Sequence, residues 1–197
     1  MGKITKYLYR IVRSFFWDLL IFFELKIKNK YSHETYESYK ASFLYPEYMK
    51  IGKASEVIES YALNYCTGRG LDIGAGKWPL KNSRGIEDNR EENAYKILEE
   101  NESQDFVFSS HALEHLDNPD VALKEWVRVL KKDGVLFIYC PHPSCNMWKK
   151  NVFYHHKWDI YPEDLIKKIE DIPNMSVFKS SKIPDIYFSF FVIAKKS

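Results

Sequence analysis

The sequence has few of the features that mark metal clusters, disulfide frameworks and membrane spans. Its three cysteines are Cys66, Cys140 and Cys145, with no Cys-x-x-Cys pair and no histidine at metal-ligand spacing. Scattered cysteines in an odd number suit a reducing compartment, and we expect no metal site. In the apolar N-terminal segment only Leu19–Phe23 is uninterrupted, far short of the roughly 20 apolar residues that cross a bilayer.

The chain also lacks a strong charge of either sign, but its charge is unevenly distributed. The formal net charge is +2, although residues 1–30 alone hold seven basic residues against Asp18 and Glu24. The rest of the chain is therefore slightly acidic. This distribution argues against a nucleic-acid groove on the main body and places any anionic partner at residues 1–30.

The N-terminal segment has the periodicity of an amphipathic helix. Apolar residues recur at helical spacing between Ile4 and Ile27, and no small-residue cleavage site follows to make this a signal peptide. Two interpretations stay open: a helix lying on an anionic membrane, or a helix packing on the domain or on a second subunit. With the tyrosine-rich connector or lid that follows, residues 1–48 form one predicted unit and residues 49–197 the other.

A glycine-containing turn follows a short apolar stretch at Arg69–Gly76. The stretch Leu71-Asp72-Ile73 predicts a buried strand, and Gly74 and Gly76 follow it. Glycine lacks a Cβ atom and tolerates positive φ, so backbone amides in such a turn can face a ligand directly. A plain strand and turn would also explain this pattern on its own.

The downstream pattern alternates strands with a helix. Ile86 and Glu87 end a predicted second strand with an acid at its tip. Residues 105–110 predict a third strand, followed by a polar tip and a helix start at 111–116. Residues 121–133 predict a helix that Gly134 closes, and Val135–Pro141 predicts another strand. Strands alternating with a helix favour an α/β fold with a parallel sheet.

These pieces, in this order, resemble the class I S-adenosylmethionine-dependent methyltransferases, in particular small bacterial enzymes associated with surface polysaccharides. The resemblance covers about Gly70 to Pro143, and its most specific parts are the segments 109–116 and 128–134. It implies a Rossmann-like, mostly parallel sheet with an antiparallel last strand. It also implies S-adenosylmethionine as cofactor and a small-molecule or glycan intermediate of cell-surface polysaccharide biosynthesis as acceptor, in the cytoplasm or at the inner face of the membrane.

The chain departs from the family pattern in two places. Lys77–Arg84 leaves no room for the usual helix after the glycine turn, and Pro79 disfavours one further. This shortened cofactor loop carries Trp78 in the position of the third glycine. The compressed stretch that follows leaves only Tyr95–Leu98 as a vestigial third strand. Outside the core we expect helices at 51–65 and 161–169, and two final strands at 176–179 and 187–194.

Candidate cofactor ligands lie at the carboxyl ends of the predicted strands, where ligands of open α/β sheets bind. A carboxylate at the tip of the second strand can accept hydrogen bonds from both ribose hydroxyls, which suits Glu87, with Asp88 as the alternative. Asp72 would orient the glycine turn and the methionine moiety. The predicted cofactor-binding residues are Asp72, Gly74, Ala75, Gly76, Glu87, Ser110 and His111.

A hydroxyl acceptor needs a base, and histidine suits that role because its ordinary pKa is about 6.5. His142, between two prolines, is our first candidate and His111 our second. His115 is expected to anchor a helix. His155 and His156 either grip the acceptor or are ordinary loop residues, and a metal shared with His142 is not expected.

Two other functions account for part of the pattern. A strand, a glycine turn and a later acid also describe a dinucleotide-dependent oxidoreductase, but Pro79 stands where its third glycine would be. The shortened loop would also suit a catalytically inactive relative that binds a membrane or a protein partner. The oligomeric state does not follow from the sequence.

Overall fold

The computed structural model describes residues 47–145, 148–150, 155–181, 183–185 and 187–197. The predicted amphipathic helix between Ile4 and Ile27 lies outside these residues, as does the connector up to residue 46. The division into units 1–48 and 49–197 therefore stays a prediction. Among the described residues, no helix is long and apolar enough to cross a membrane.

A six-stranded sheet organises the described part of the chain, with strand order β2-β1-β3-β4-β6-β5. Strands β1 to β4 pair in parallel, and β6 runs antiparallel to both of its neighbours. The predicted Rossmann-like fold with an antiparallel last strand is therefore confirmed. The strands are β1 Gly70–Ile73, β2 Ser83–Ile86, β3 Gln104–Ser110, β4 Leu130–Pro141, β5 Met175–Ser180 and β6 Ser189–Lys196.

Alternate strand side chains pack into two apolar clusters, one on each face of the sheet. The first joins Leu136 to Trp126 of the helix Pro119–Val129 and to Leu165 of the helix Pro162–Glu170. The second, on the opposite face, includes residues of β3, of β4 and of the short helix Glu59–Ala62 with its N-cap Ile58: Ile58, Ala62, Phe106, Phe108, Phe137 and Tyr139. Burial on both faces explains why the central strands β3, β4 and β6 contain long apolar runs.

Two predicted helices are shorter than expected. Of the predicted helix 51–65, only Glu59–Ala62 is α-helical, because Gly52 at φ +76° and tighter turns such as Glu56 N–H to Lys53 C=O (3.0 Å) precede it. The helix expected to continue to Gly134 ends at Val129 instead. Leu130 is fully buried and pairs with Gln104, so β4 begins there and Gly134 lies inside the strand.

The short helices Glu47–Lys50 and Leu113–His115, the latter a single 3₁₀ turn, complete the regular structure of the described residues. The start of the helix Pro119–Val129 follows the expected chemistry, since the Asn118 side chain accepts the Val121 N–H at 3.3 Å and Pro119 opens the first turn. The predicted helix at 161–169 is present as Pro162–Glu170.

The predicted vestigial strand at Tyr95–Leu98 is wrong: the segment makes one isolated bridge, between Asn93 and Lys96, and no strand. Side chains hold its backbone instead. Glu125 accepts the Ile97 N–H at 2.7 Å, and Arg128 donates to the Ile97 carbonyl at 2.8 Å. A strand would have satisfied these groups through a ladder, so partly buried charged side chains replace the missing sheet contact.

A second ion-pair group holds the same segment against β2. Arg84 makes two hydrogen bonds to Glu92, at 2.6 and 2.9 Å, and Glu92 also accepts the Leu98 N–H at 2.9 Å. A bidentate pair of this kind fixes orientation as well as distance. The segment 92–98 is thereby fixed beside the carboxyl ends of the parallel strands.

The shortened loop between β1 and β2 is tethered by a buried carboxylate. Asp72 is 2% exposed, and its Oδ2 accepts the Leu80 N–H at 2.8 Å. Leu80 is itself 1% exposed, so the loop turns back into the core without forming a helix. Burial raises the pKa of the Asp72 carboxyl to about 7, although the Leu80 hydrogen bond opposes that shift.

This raised pKa makes stability depend on pH in a defined direction. Between the unfolded pKa near 4 and the folded value of about 7, the folded chain retains a proton that the unfolded chain releases. The Asp72 contribution therefore lowers the free energy of unfolding as pH rises through this range. Asp72→Asn keeps an oxygen for Leu80 but removes the charge. We expect its stability relative to wild type to rise by roughly 1–3 kcal/mol between pH 5 and pH 8.

Urea denaturation at the two pH values measures this difference. The control is Asp164→Asn, at an exposed position of the helix Pro162–Glu170, which should show no such trend. An Asp72→Asn difference that is the same at both pH values would contradict the assignment.

Candidate functional site

A cavity of about 370 Å³ opens at the carboxyl ends of β1, β2 and β3. Strand ends, the segment after β2 and the segment after β3 each contribute one part of its wall. The lining residues are Ile73, Gly74, Ile86, Glu87, Asp88, Asn93, Ala94, Tyr95, His111, Ala112, His115, Leu116 and Asp117. This is the edge of the sheet where open α/β folds bind their ligands.

The two glycines of the turn are required for different reasons. Both have positive φ, +76° at Gly74 and +58° at Gly76. A Cβ atom on Gly74 would lie 2.5 Å from Ala112 Cβ, so only glycine lets the end of β1 pack against the segment after β3. At Gly76 the nearest atom would be Gly52 O, at 3.8 Å, so the backbone conformation alone favours glycine there.

Glu87 lies directly across from the glycine turn. Its Oε1 accepts the Gly76 N–H at 2.5 Å, while the residue remains exposed and lines the cavity. The Gly74 N–H is donated to the Ile86 carbonyl at 2.8 Å. Both glycine amides thus have protein partners, which differs from the expectation that they face a ligand. The Gly74 backbone and the Glu87 carboxylate are the parts of this region that line the cavity.

Three other predicted cofactor ligands lie behind the cavity wall. Asp72 is directed to Leu80, as described above. Ala75 is buried and packs against Gly85. A Cβ atom added to Gly85 would lie 3.2 Å from Ala75 Cβ. Ser110, at the end of β3, is 5% exposed, and its hydroxyl has no hydrogen-bond partner among the described residues. None of the three, nor Gly76, is among the lining residues.

His111 lines the cavity with its backbone more than with its ring. It has φ +53°, and its side chain is 4% exposed. The ring lies edge-on to Tyr139 and Trp148, and Nε2 is 3.1 Å from Ser189 Oγ. Burial lowers the pKa of His111 to about 3. The imidazole is therefore neutral at physiological pH and a weak base.

His142 is not among the lining residues of this cavity. Its N–H donates to the Phe188 carbonyl at 2.7 Å, and its Nδ1 accepts the Ser144 N–H at 3.0 Å. The ring packs edge-on against Tyr161 and Phe190. Because Nδ1 accepts a hydrogen bond, the neutral ring carries its proton on Nε2. Nδ1 could take a proton from an acceptor only after the Ser144 contact opens.

One wall of the cavity comes from residues that the sequence did not indicate. Tyr95 lies in the segment 92–98, and its hydroxyl accepts the Asn118 N–H at 3.1 Å. This bond joins the segment to the start of the helix Pro119–Val129. Sequence reasoning missed these residues because side-chain ion pairs, rather than a periodic strand, place the segment.

A second group of titratable residues adjoins the cavity below His111. Glu114 is 1% exposed, and burial raises the pKa of its carboxyl to about 8. His156 packs against it, with its own pKa lowered to about 3 by burial. From the sequence, His115 was expected to anchor a helix, and His156 either to grip the acceptor or to be an ordinary loop residue. The spacing His111-x-x-Glu114-His115 was the available signal, but nothing local connects it to residue 156.

The arrangement fits an adenosyl ligand. Ile73, Ile86 and Leu116 provide apolar walls, and Glu87 and Asp88 provide acceptors for hydroxyl donors at the rim. The volume is within the range of cofactor pockets.

Comparison with known proteins agrees with this geometry. Residues 51–138 match a family model described as a methyltransferase domain. A comparison with the curated protein sequences finds no significant relative.

Several solved structures share the fold at low sequence identity. An S-adenosylmethionine-dependent methyltransferase from Thermotoga maritima is 18% identical, with a TM-score of 0.55, over 78% of this chain and 95% of that one. One from Archaeoglobus fulgidus is 20% identical, with a TM-score of 0.54, over 79% of this chain and all of that one. One from Methanosarcina mazei is 16% identical, with a TM-score of 0.54, over 69% of this chain and 96% of that one.

At these identities the solved structures show a shared fold, while the family match covers the glycine turn, Glu87 and the segment after β3. Residues 51–138 thus match a methyltransferase domain, in a chain whose fold is that of the solved S-adenosylmethionine-dependent methyltransferases.

Proposed function

We propose that this methyltransferase binds S-adenosylmethionine in the cavity at the ends of β1–β3 and methylates a small-molecule or glycan intermediate of cell-surface polysaccharide biosynthesis. The observation that carries the cofactor site is the Glu87 carboxylate, which lies against the glycine turn and lines the same cavity as Gly74. The acceptor class is supported by the family resemblance and by the basic N-terminal segment.

The proposed roles follow from where each residue lies. Glu87 would accept hydrogen bonds from the ribose hydroxyls, with Asp88 beside it. Gly74 has no side chain, and the close approach of Ala112 leaves no space for one. We propose that the methionine moiety lies beside this bare stretch of backbone. Asp72, Ala75, Gly76 and Ser110 would shape the turn from behind rather than touch the ligand.

The bound cofactor supplies a methyl group on a sulfonium, so the protein has to align the acceptor and exclude water. The apolar walls of the cavity serve the second purpose. For a hydroxyl acceptor we propose His142 as base, once the Ser144 contact opens, and His111 as second candidate. A carboxylate or phosphate acceptor would need neither.

Calorimetry with S-adenosylhomocysteine tests the cofactor site. Wild type should bind one equivalent. Glu87→Ala should weaken binding by roughly 10- to 100-fold, because hydrogen bonds to a charged acceptor contribute about 1.5–3 kcal/mol. Glu87→Gln, which keeps the shape but loses the charge, should fall between the two.

The matched control is Glu91→Ala, an exposed acid in the same connection that is not among the cavity-lining residues. Its affinity should equal that of wild type. Absence of both heat and thermal shift at saturating ligand in wild type would reject the site, as would unchanged affinity in Glu87→Ala.

The base is tested by kinetics on any acceptor that supports turnover. His142→Gln is expected to lower kcat by about 100-fold with little change in KM. His155→Gln, at an exposed position, serves as the control. If kcat is retained, His142 is not the base.

The alternative of an inactive relative predicts that the chain binds the cofactor but shows no turnover on any acceptor.

The basic segment 1–30 is proposed to hold the enzyme at the inner face of the membrane, near a lipid-linked substrate. The full chain should float with anionic phospholipid vesicles and not with phosphatidylcholine vesicles. Replacing Lys26, Lys28 and Lys30 with Gln should weaken binding by roughly 1 kcal/mol per charge. Equal flotation of the variant and the wild type would remove the membrane proposal without affecting the cofactor site.

A further inference from the structure

Among the described residues, no hydrogen bond accounts for the position of the buried Glu114 carboxylate. It lies in the 3₁₀ turn Leu113–His115 with its side chain 1% exposed. Both of its oxygens are without a hydrogen-bond partner among the described residues. Burying such a group unpaired is costly, and buried charges in proteins are normally paired or coordinate a metal.

Three imidazole nitrogens surround one oxygen of this carboxylate. Glu114 Oε1 lies 3.5 Å from His111 Nδ1, 3.9 Å from His115 Nε2 and 4.0 Å from His156 Nε2. The donor atoms of Glu114, His115 and His156 all lie within 4.8 Å of one another. The group is therefore compact, although its members come from segments 40 residues apart in sequence.

Backbone carbonyls fix the orientation of two of these rings. His115 Nδ1 lies 3.2 Å from the His155 carbonyl, and His156 Nδ1 lies 2.6 Å from the Trp148 carbonyl. A carbonyl only accepts, so each Nδ1 carries the proton and each neutral ring has its lone pair on Nε2, the atom near Glu114. Metal-binding histidines are oriented in the same way, by donating their other N–H to a carbonyl or carboxylate.

We propose that Glu114, His115 and His156 bind a divalent transition-metal ion, for which zinc is the best match. Two imidazole nitrogens and one carboxylate oxygen are ligands that zinc prefers. Ligand atoms around a tetrahedral zinc lie about 3.3 Å apart, so binding would draw the three side chains inward by up to about 1 Å. Lone pairs and a carboxylate directed at one another also favour a cation between them.

The site would adjoin the cavity rather than lie apart from it. His115 is the least buried ligand, at 37% exposure, and it lines the cavity together with His111. Three protein ligands leave a further coordination position, as in catalytic zinc sites. The sequence predicted no metal because it considered His142 with His155 and His156, whereas the fold brings a different set together.

Zinc titration of the full, tag-free chain after treatment with EDTA tests this site. Calorimetry should show one zinc per chain, and the melting temperature should rise with zinc. His115→Gln and Glu114→Gln should each lose at least the roughly 100-fold in affinity that outer-shell changes can cost. His155→Gln keeps the backbone carbonyl that orients His115 and should bind as wild type does. Cobalt should give visible absorption bands in wild type that both ligand variants lack.

Two results would overturn the proposal. One is the absence of stoichiometric binding in wild type, with Glu114→Gln raising the melting temperature whether or not zinc is added; the carboxyl would then hold a proton. The other is equal zinc affinity in wild type and His115→Gln, which would place the ion elsewhere. His115 is partly exposed, so its variant tests the site even if Glu114→Gln does not fold. Binding of S-adenosylhomocysteine is measured in a separate titration. A failure of the zinc site can therefore be distinguished from a failure of the proposed cofactor site.

Discussion

The buried hydrogen bond between the Asp72 carboxyl and the Leu80 amide fixes the geometry on which the candidate site depends. It closes the connection between β1 and β2 without a helix, because Leu80 is drawn into the core immediately after the glycine turn. The short return keeps β2 in register with β1, from Gly70 opposite Ser83 to Ile73 opposite Ile86. Glu87, the next residue, is thereby placed against Gly76.

The same shortening leaves an edge of the sheet without the additional strand that the resemblance suggested. Hydrogen bonds from charged side chains replace those that a strand would have made. The pairs Arg84–Glu92 and Glu125–Arg128 satisfy backbone groups of the segment 92–98. Partly buried, hydrogen-bonded ion pairs of this kind specify position more than they add stability. Here they position Tyr95 and Ala94 as a wall of the cavity.

Two chemically different groups therefore meet at one edge of the sheet. One is an acid beside a glycine turn, exposed and suited to hydroxyl donors. The other is a buried carboxylate among histidines, in which backbone carbonyls orient the rings. His111 belongs to both, because its backbone lines the cavity and its Nδ1 lies 3.5 Å from Glu114.

The sequence by itself determined the α/β class, strands β1 to β4 in outline, the glycine turn and the acid after β2, because these depend on local periodicity and on the conformational freedom of glycine. It predicted that the helix continues to residue 133, whereas the helix ends at Val129 because Leu130 pairs with Gln104 in the sheet. Only the tertiary structure decided that Asp72 faces Leu80 and that His156 joins Glu114 and His115. Contacts between residues far apart in the chain arise from packing, which leaves no periodic signal in the sequence.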